Sequence, residues 1–288
     1  MTLDPTASPS PPTLGGLTER LRDLDAWVRH FERSDWPILA SSAEALEELR
    51  EHEDEVDAHL VAETFEGDPL MTLKVLAYAA THRPGRLITD TETVIAAVLM
   101  MGIGPFFRAF GPQGSAEDRL AAAPEALNGL RAVVSRAHRA ANFALGFAVH
   151  RMDPDAAVIR QAALLHDFAE MLLWCHAPTL ALRIRRAQQA DPALRSATIQ
   201  QQVLGLELAQ LQVALMKAWR LPELLVRIMD DRHAEQPSVR CVALAVRVAR
   251  HLSTGWDNAA LPDDVADIAA LLNLSRGAAL KLLRDIDS

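Results

Sequence analysis

Apolar residues recur at intervals of three and four along almost all of the 288 residues, and no segment alternates with a period of two between hairpin turns. A chain patterned in this way has to bury many amphipathic helices against one another, because it has no face suited to a half-wet sheet. The fold class it predicts is all-α. Half of the residues are apolar and 23% are charged, which suits a packed core and excludes global disorder.

Glycine and proline punctuate the helices. Leu17, Leu21, Leu24, Trp27, Val28 and Phe31 form one stripe, so a first helix is expected over 17–34. Ser41-Ser42-Ala43-Glu44 reads as a capping box that opens a second. A third ends at Gly67, Pro69 takes the first position of a fourth over 70–80, and a fifth over 91–101 closes at Gly102. A connection rich in Gly, Pro, Ser and Ala over 111–124 leads to longer helices expected at 125–150, 155–175, 178–190, 196–218, 222–232 and 238–252. A final pair is expected at 263–273 and 276–286. The first 16 residues carry four of the sixteen prolines, with neither a basic start nor an apolar core, and read as a disordered leader rather than a signal peptide. The expected organisation is the leader (1–16), an N-terminal helix (17–34), a helical domain (35–255) whose early short helices dock as a lobe on a longer bundle, and a C-terminal helix pair (256–288).

The formal net charge of −9 is local rather than general, since residues 41–69 hold eleven Asp or Glu and a single Arg. Glu44, Glu47, Glu48, Glu51 and Glu55 mark an acidic face, expected to be a solvated helix surface, with a docking surface for a basic partner as the alternative. The balance argues against a protein that coats nucleic acid, which needs clustered Lys and Arg. Cys175 and Cys241 are too few for a disulfide framework and lack C-x-x-C spacing, so reduced thiols and a cytoplasmic setting are expected. The longest uncharged apolar stretch, 94–107, is too short and too interrupted to span a bilayer.

The most informative string is Gln161-Ala-Ala-Leu-Leu-His166-Asp167-Phe-Ala-Glu170, preceded one helix earlier by Arg136-Ala-His138-Arg139-Ala140. A His on one helix and a His-Asp pair on the next suit a divalent cation that takes imidazole nitrogen and carboxylate oxygen together. Such a metal generates a hydroxide able to attack phosphorus. The same residues, read without a metal, make helix-to-helix hydrogen bonds. Ser135 and His138 lie one turn apart without an orienting acid or a glycine-rich elbow, so a serine hydrolase is not supported. Gly102-Ile-Gly104-Pro105 lacks the lysine of a phosphate loop.

Ala162-Ala163-Leu164-Leu165-His166-Asp167 resembles the signature of the HD superfamily of metal-dependent phosphohydrolases, and its surroundings resemble the HDOD branch, the HD-related output domain. Gly67-Asp68-Pro69-Leu70 is similar to that branch's Asp-Pro-x-Leu segment, and Ile95-Ala96 through Met101-Gly102 is similar to its "AI-x-x-LG" helix. Gly205, Ala214-Leu215 and Trp219-Arg220-Leu221-Pro222 resemble the downstream "G-x-x-H … GA-x-L-x-x-x-W-x-LP" stretch. The resemblance covers roughly residues 35 to 255 and implies an HD-like helical bundle. Relatives with the fullest ligand set carry a His after the downstream glycine, then a His pair, then a closing Asp. In this chain Leu208, Arg232-His233 and Arg250 stand at those places, so of the implied ligands only His138, His166, Asp167 and His233 remain.

The reading this supports is a non-catalytic HDOD-type module with a degenerate metal site, working in a bacterial signalling or regulatory pathway through a protein or small-ligand contact. No cofactor is implied. Arg250 is expected to replace the metal's charge by pairing with Asp167. One alternative is a metal-dependent phosphohydrolase with a reduced site on His138, His166 and Asp167. Another is a DNA-binding regulator that uses the C-terminal pair, whose second helix carries Arg276, Lys281 and Arg284 while Asp264 and Asp267 make the first acidic.

Overall fold

The computed structural model describes residues 16–82, 91–191 and 193–288; except for Gly16, the expected leader lies outside them. Among the described residues no strand forms, and Ile38 and Ser115 share only an isolated parallel bridge. The chain is helical, as its periodicity requires.

A first group of short helices comprises α1 (Leu24–Arg33), α2 (Ala40–Glu51), α3 (Ala58–Phe65), α4 (Pro69–Thr81), α5 (Val94–Met101), α6 (Ile103–Ala109) and α7 (Ala116–Arg119). Then follow α8 (Pro124–His150), α9 (Ala156–Leu165), α10 (Phe168–His176), α11 (Pro178–Ala190), α12 (Ser196–Leu204), α13 (Leu208–Ala218), α14 (Glu223–Ile228) and α15 (Pro237–Leu252), with α16 (Leu261–Leu272) and α17 (Arg276–Ile286) at the end. No helix is long and apolar enough to cross a membrane, among the described residues.

Several boundaries differ from the expectation, each for a local reason. The first helix starts at Leu24, because the Asp23 carboxylate accepts from the Ala26 amide at 2.8 Å, while the Leu17 amide is bound to the His176 carbonyl instead. The stretch expected over 155–175 breaks at His166-Asp167, and that over 196–218 breaks at Gly205, whose φ of +78° supplies a left-handed end to α12. Glu207 and Gln210 then form a reciprocal capping box for α13. The expected helix over 222–232 is α14 followed by a 3-10 turn, Asp231–His233.

The capping box expected at Ser41 is not used. The chain turns into α2 at Leu39, and remote carboxylates receive its first amides: Leu39 donates to Asp68 at 2.8 Å and Ala40 to Glu117 at 2.9 Å. Asp68, almost fully buried, also accepts from the Leu70 and Met71 amides at 2.8 and 3.0 Å, so one carboxylate caps α4 and anchors the entry to α2.

The core is divided into two parts, and α4 belongs to both. Its Leu70, Leu73, Leu76 and Ala77 join the large core, whereas Met71, Val75 and Ala79 join a smaller one with Ile38, Val61, Phe65, Val98 and Phe106. A helix apolar all round is stable only when sandwiched in this way. The lobe expected from the sequence is therefore docked on the bundle through α4. Trp36 reinforces the junction, packing at a tilt on Trp219 with centroids 4.9 Å apart, and Trp219 in turn packs on Phe168 at 5.9 Å.

The bundle is organised around α8, whose 27 residues extend about 40 Å and pack along α9 and α15. Gly129 lets the Trp174 ring of α10 lie against the α8 backbone, because a Cβ there would come within 2.5 Å of the indole. The C-terminal pair is held by charge as well as packing. Buried Asp264 accepts from Arg247 at 2.8 Å and from His251 at 2.6 Å, and Asp287 takes both arms of Arg139 at 2.5 Å.

Replacing Asp68 by alanine removes an acceptor shared by three backbone amides, two of them at buried positions. The expected result is a loss of about 3 kcal/mol in urea unfolding, with a lower midpoint and an unchanged slope.

Candidate functional site

His166 and Asp167 occupy the elbow between α9 and α10. α9 ends at Leu165, Asp167 has φ −105° and ψ 24°, and the Glu170 and Met171 amides bond back to its carbonyl to start α10. The elbow turns both side chains toward the end of α15 and the 3-10 turn at Asp231. Glu170, one turn on, falls on the same face.

The principal partner of the Asp167 carboxylate is Arg136 on α8. Arg136 Nε and Nη2 lie 3.2 and 2.9 Å from Oδ2, and the same Nη2 reaches Glu170 Oε2 at 2.8 Å. The other Asp167 oxygen faces His166 Nδ1 at 3.2 Å, and His166 Nε2 faces Asp231 Oδ1 at 3.2 Å. With a carboxylate at each ring nitrogen, the imidazole is held as the doubly donating cation.

Burial pushes the His166 imidazolium down, but the hydrogen bonds and charges of Asp167 and Asp231 outweigh it and raise the ring to about 9. Burial pushes Asp167 up, and the hydrogen bond and charge of His166, with the charges of Arg136 and Arg250, hold it well below the usual carboxylate range. Arg136 loses by burial and gains more from Glu170 and Asp167.

The remaining expected site residues are placed differently. Arg250 Nη2 stands 3.7 Å from Asp167 Oδ1, so the expected ion pair forms, but it is long and outermost, with the Arg250 side chain 56% exposed. Arg136 makes the short contacts that the sequence reading assigned to Arg250. His138 is turned away from Asp167, and its Nε2 donates to the Gly67 carbonyl, fastening α8 to the turn between α3 and α4. His233 is half-exposed beside Asp230 and Glu235, at 3.9 and 3.4 Å. Leu208, at the place of the family's first downstream His, is in the hydrophobic core at the start of α13. Among the described residues, no group of three or more His, Cys, Asp or Glu side chains is placed to hold a metal ion.

Arg136 and Glu170 lie within the two sequence motifs without a role that the sequence assigns, and Asp231 lies outside both. A signal for the first two was present, since acids at 167 and 170 on one helix face make a fork for a guanidinium. Asp231 gave none, because its approach to His166 depends on the packing of α14 and α15.

The elbow, the α8 spine and the docked lobe define an all-helical HD-like fold. The sequence profile of the HDOD domain matches residues 36–235, more than half of the chain, and the chain belongs to that family. The match stops before α15, which carries Arg250. Among solved structures it is similar to the MmoQ response regulator from Methylococcus capsulatus str. Bath, with a TM-score of 0.66 and 17% identity over 87% of this chain and 98% of that one. It is also similar to a virulence factor (cj0248) from Campylobacter jejuni subsp. jejuni, with a TM-score of 0.61 and 18% identity over 92% of this chain and 98% of that one. At such identities the likeness is one of fold. No curated protein matches the chain in sequence.

The charge cluster makes two expectations. His166 is raised above its ordinary 6.5, so its contribution to stability is complete below about pH 6.5 and lost as pH rises through about 9; Asp167 is lowered, so its contribution is lost as pH falls below the ordinary carboxylate range. Proton NMR of the His166 ring should therefore give a titration midpoint near 9, and a midpoint below 7 would contradict the doubly bonded cation. Arg136→Met should cost about 3–5 kcal/mol in chemical denaturation, because it leaves the buried Asp167 short of its main cation. Arg136→Lys should cost less, since it keeps the charge and loses the fork.

Proposed function

We propose that this chain is a non-catalytic signalling or regulatory module of the HDOD type, acting through contact with a protein or small ligand. The observation that carries the reading is the closed charge cluster at the elbow. One Asp167 oxygen is taken by Arg136 and the other by His166. Both His166 nitrogens face carboxylates, so as a cation the ring has no lone pair to offer. A divalent ion would have to displace two arginines and strip protons from a stabilised imidazolium. The residues present do not fit the metal of the hydrolytic relatives. His138 supports the same reading by serving as a packing contact to Gly67.

The response regulator named among the similar folds supports a signalling role, and the acidic face supports a protein partner with a basic surface. Glu44, Glu47, Glu48, Glu51 and Glu55 are all exposed, and the Glu47 carboxylate is partly offset by Arg50 at 3.0 Å. A reduced thiol state supports a cytoplasmic setting, with both cysteines buried and their thiols pushed up to about 12 by burial.

The test is a metal analysis of the purified chain together with phosphodiester and nucleotide hydrolysis assays. Substoichiometric metal and no turnover are expected with added Mn²⁺ or Mg²⁺. Stoichiometric metal, with turnover lost in His166→Ala, would overturn the reading. For the partner face, Glu44→Lys, Glu48→Lys and Glu51→Lys together should abolish a complex recovered by the unmodified protein from its native cells, while leaving the thermal midpoint within a few degrees.

A further inference from the structure

The stretch over 94–107 contains no charged residue, and it makes α5 and most of α6. One face of α5 sends Val94, Ala97 and Val98 into the small core. The opposite face is apolar as well. Ile95, Leu99, Met100 and Met101, then Ile103 and Pro105 past the turn at Gly102, all keep some contact with water, and Leu99 is 66% exposed. A surface helix ordinarily turns polar residues outward, and exposed apolar side chains are ordinarily scattered singly. Leu60, 41% exposed, lies on α3, which packs along α5. Leu60 and Leu99 are two of the four large apolar side chains exposed among the described residues.

The acidic run reaches the edge of this face. Past α2 comes the 3-10 turn Glu53–Glu55, and a Cβ placed on Gly104 would meet Glu53 Oε1 at 3.0 Å, so that carboxylate rests against the start of α6. Arg108 Nη1 reaches the same point, while Arg50 is taken by Glu47 and by the Phe110 carbonyl at 3.0 and 3.1 Å. Glu55 and Asp57 follow, both exposed, and the Asp57 carboxylate accepts from the Leu60 amide at 2.8 Å. Acids therefore border the apolar strip on the side of α2 and at the start of α3. Such an edge repels anionic lipid head groups and attracts cationic side chains. An apolar row flanked by cations is the pattern of a basic amphipathic helix. Met100 and Met101 give the strip side chains that adapt to the shape of what lies on them.

We propose that the outer face of α5, with Leu60 of α3, receives the apolar side of a basic amphipathic helix from a partner protein, whose cations meet Glu53, Glu55, Asp57 and the acids of α2. The proposal rests on the reading that the acidic face receives a basic protein; it adds the apolar contact and the helical form of the partner.

The probe is a fluorescein-labelled peptide of leucine and lysine whose leucines fall on one face of a helix, compared with a peptide of the same composition whose leucines are scattered. Fluorescence anisotropy on the full chain should show one ordered peptide bound per chain, more tightly than the scattered one and more weakly as salt is raised. Leu99→Ser should weaken the ordered peptide about tenfold, and Leu60→Ser should weaken it less, in keeping with its lower exposure. Both side chains are exposed, so thermal melts should show these variants folded. Met152→Ser, at an exposed methionine just past α8, should leave binding unchanged. Equal binding of the two peptides, or binding indifferent to both leucines, would overturn the proposal and leave the acidic-face reading intact. Binding that needs Leu99 yet is unchanged by Glu44→Lys, Glu48→Lys and Glu51→Lys together would overturn the acidic-face reading and leave the apolar site in place. Self-association in sedimentation velocity, or uptake onto vesicles of phosphatidylcholine and phosphatidylserine, that Leu99→Ser abolishes would overturn the proposal in favour of a second copy or a membrane.

Discussion

The ion pair between Arg136 and Asp167 is the contact on which the arrangement of the bundle turns. It joins the middle of α8 to the elbow between α9 and α10, and both side chains are largely out of water, each 16% exposed. Desolvating two charges is costly, and the cost is met only because each has further partners: Glu170 for the arginine, His166 and Arg250 for the carboxylate. The cluster therefore works as a unit. Its members set the angle of α10, and with it the positions of Phe168 and Trp174 against the rest of the core.

A similar logic of shared anchors runs through the N-terminal half. Asp68 accepts from three backbone amides across two helix starts, Glu117 accepts from Ala40, and His138 donates to Gly67. Each of these fastens a short helix that local propensity alone would hold only weakly. The motif that resembles the family, Gly67-Asp68-Pro69-Leu70, thus has a mechanical explanation. Asp68 caps, Pro69 fits the first helical turn, and Leu70 enters the large core and receives the Trp36 indole on its carbonyl at 3.3 Å.

The same cluster has consequences for function. Both oxygens of Asp167 and both nitrogens of His166 face neighbouring side chains, so the elbow is braced from α8 and from the 3-10 turn at Asp231. On the adjacent cleft α15 presents Arg240, Arg247 and Arg250.

Helix class, the lobe before 111, the His166-Asp167 elbow and the arginine at 250 were legible in the sequence, because periodicity, glycine and proline placement, and residue spacing are local properties. The expected joint helices over 155–175 and 196–218 failed at places where the chain bends, and only Gly205 announced one of those bends. The charge partners were a different matter. Arg136 against Asp167, Asp231 against His166, and Glu117 against Ala40 are separated by 31, 65 and 77 residues. Which cation meets which acid depends on the rotation and crossing of helices, set by how α8, α9, α14 and α15 fill the core together. The sequence by itself determined that these helices exist and which faces they bury; tertiary packing decided that Arg136 would make the short contacts expected of Arg250, and that His138 would reach the Gly67 carbonyl.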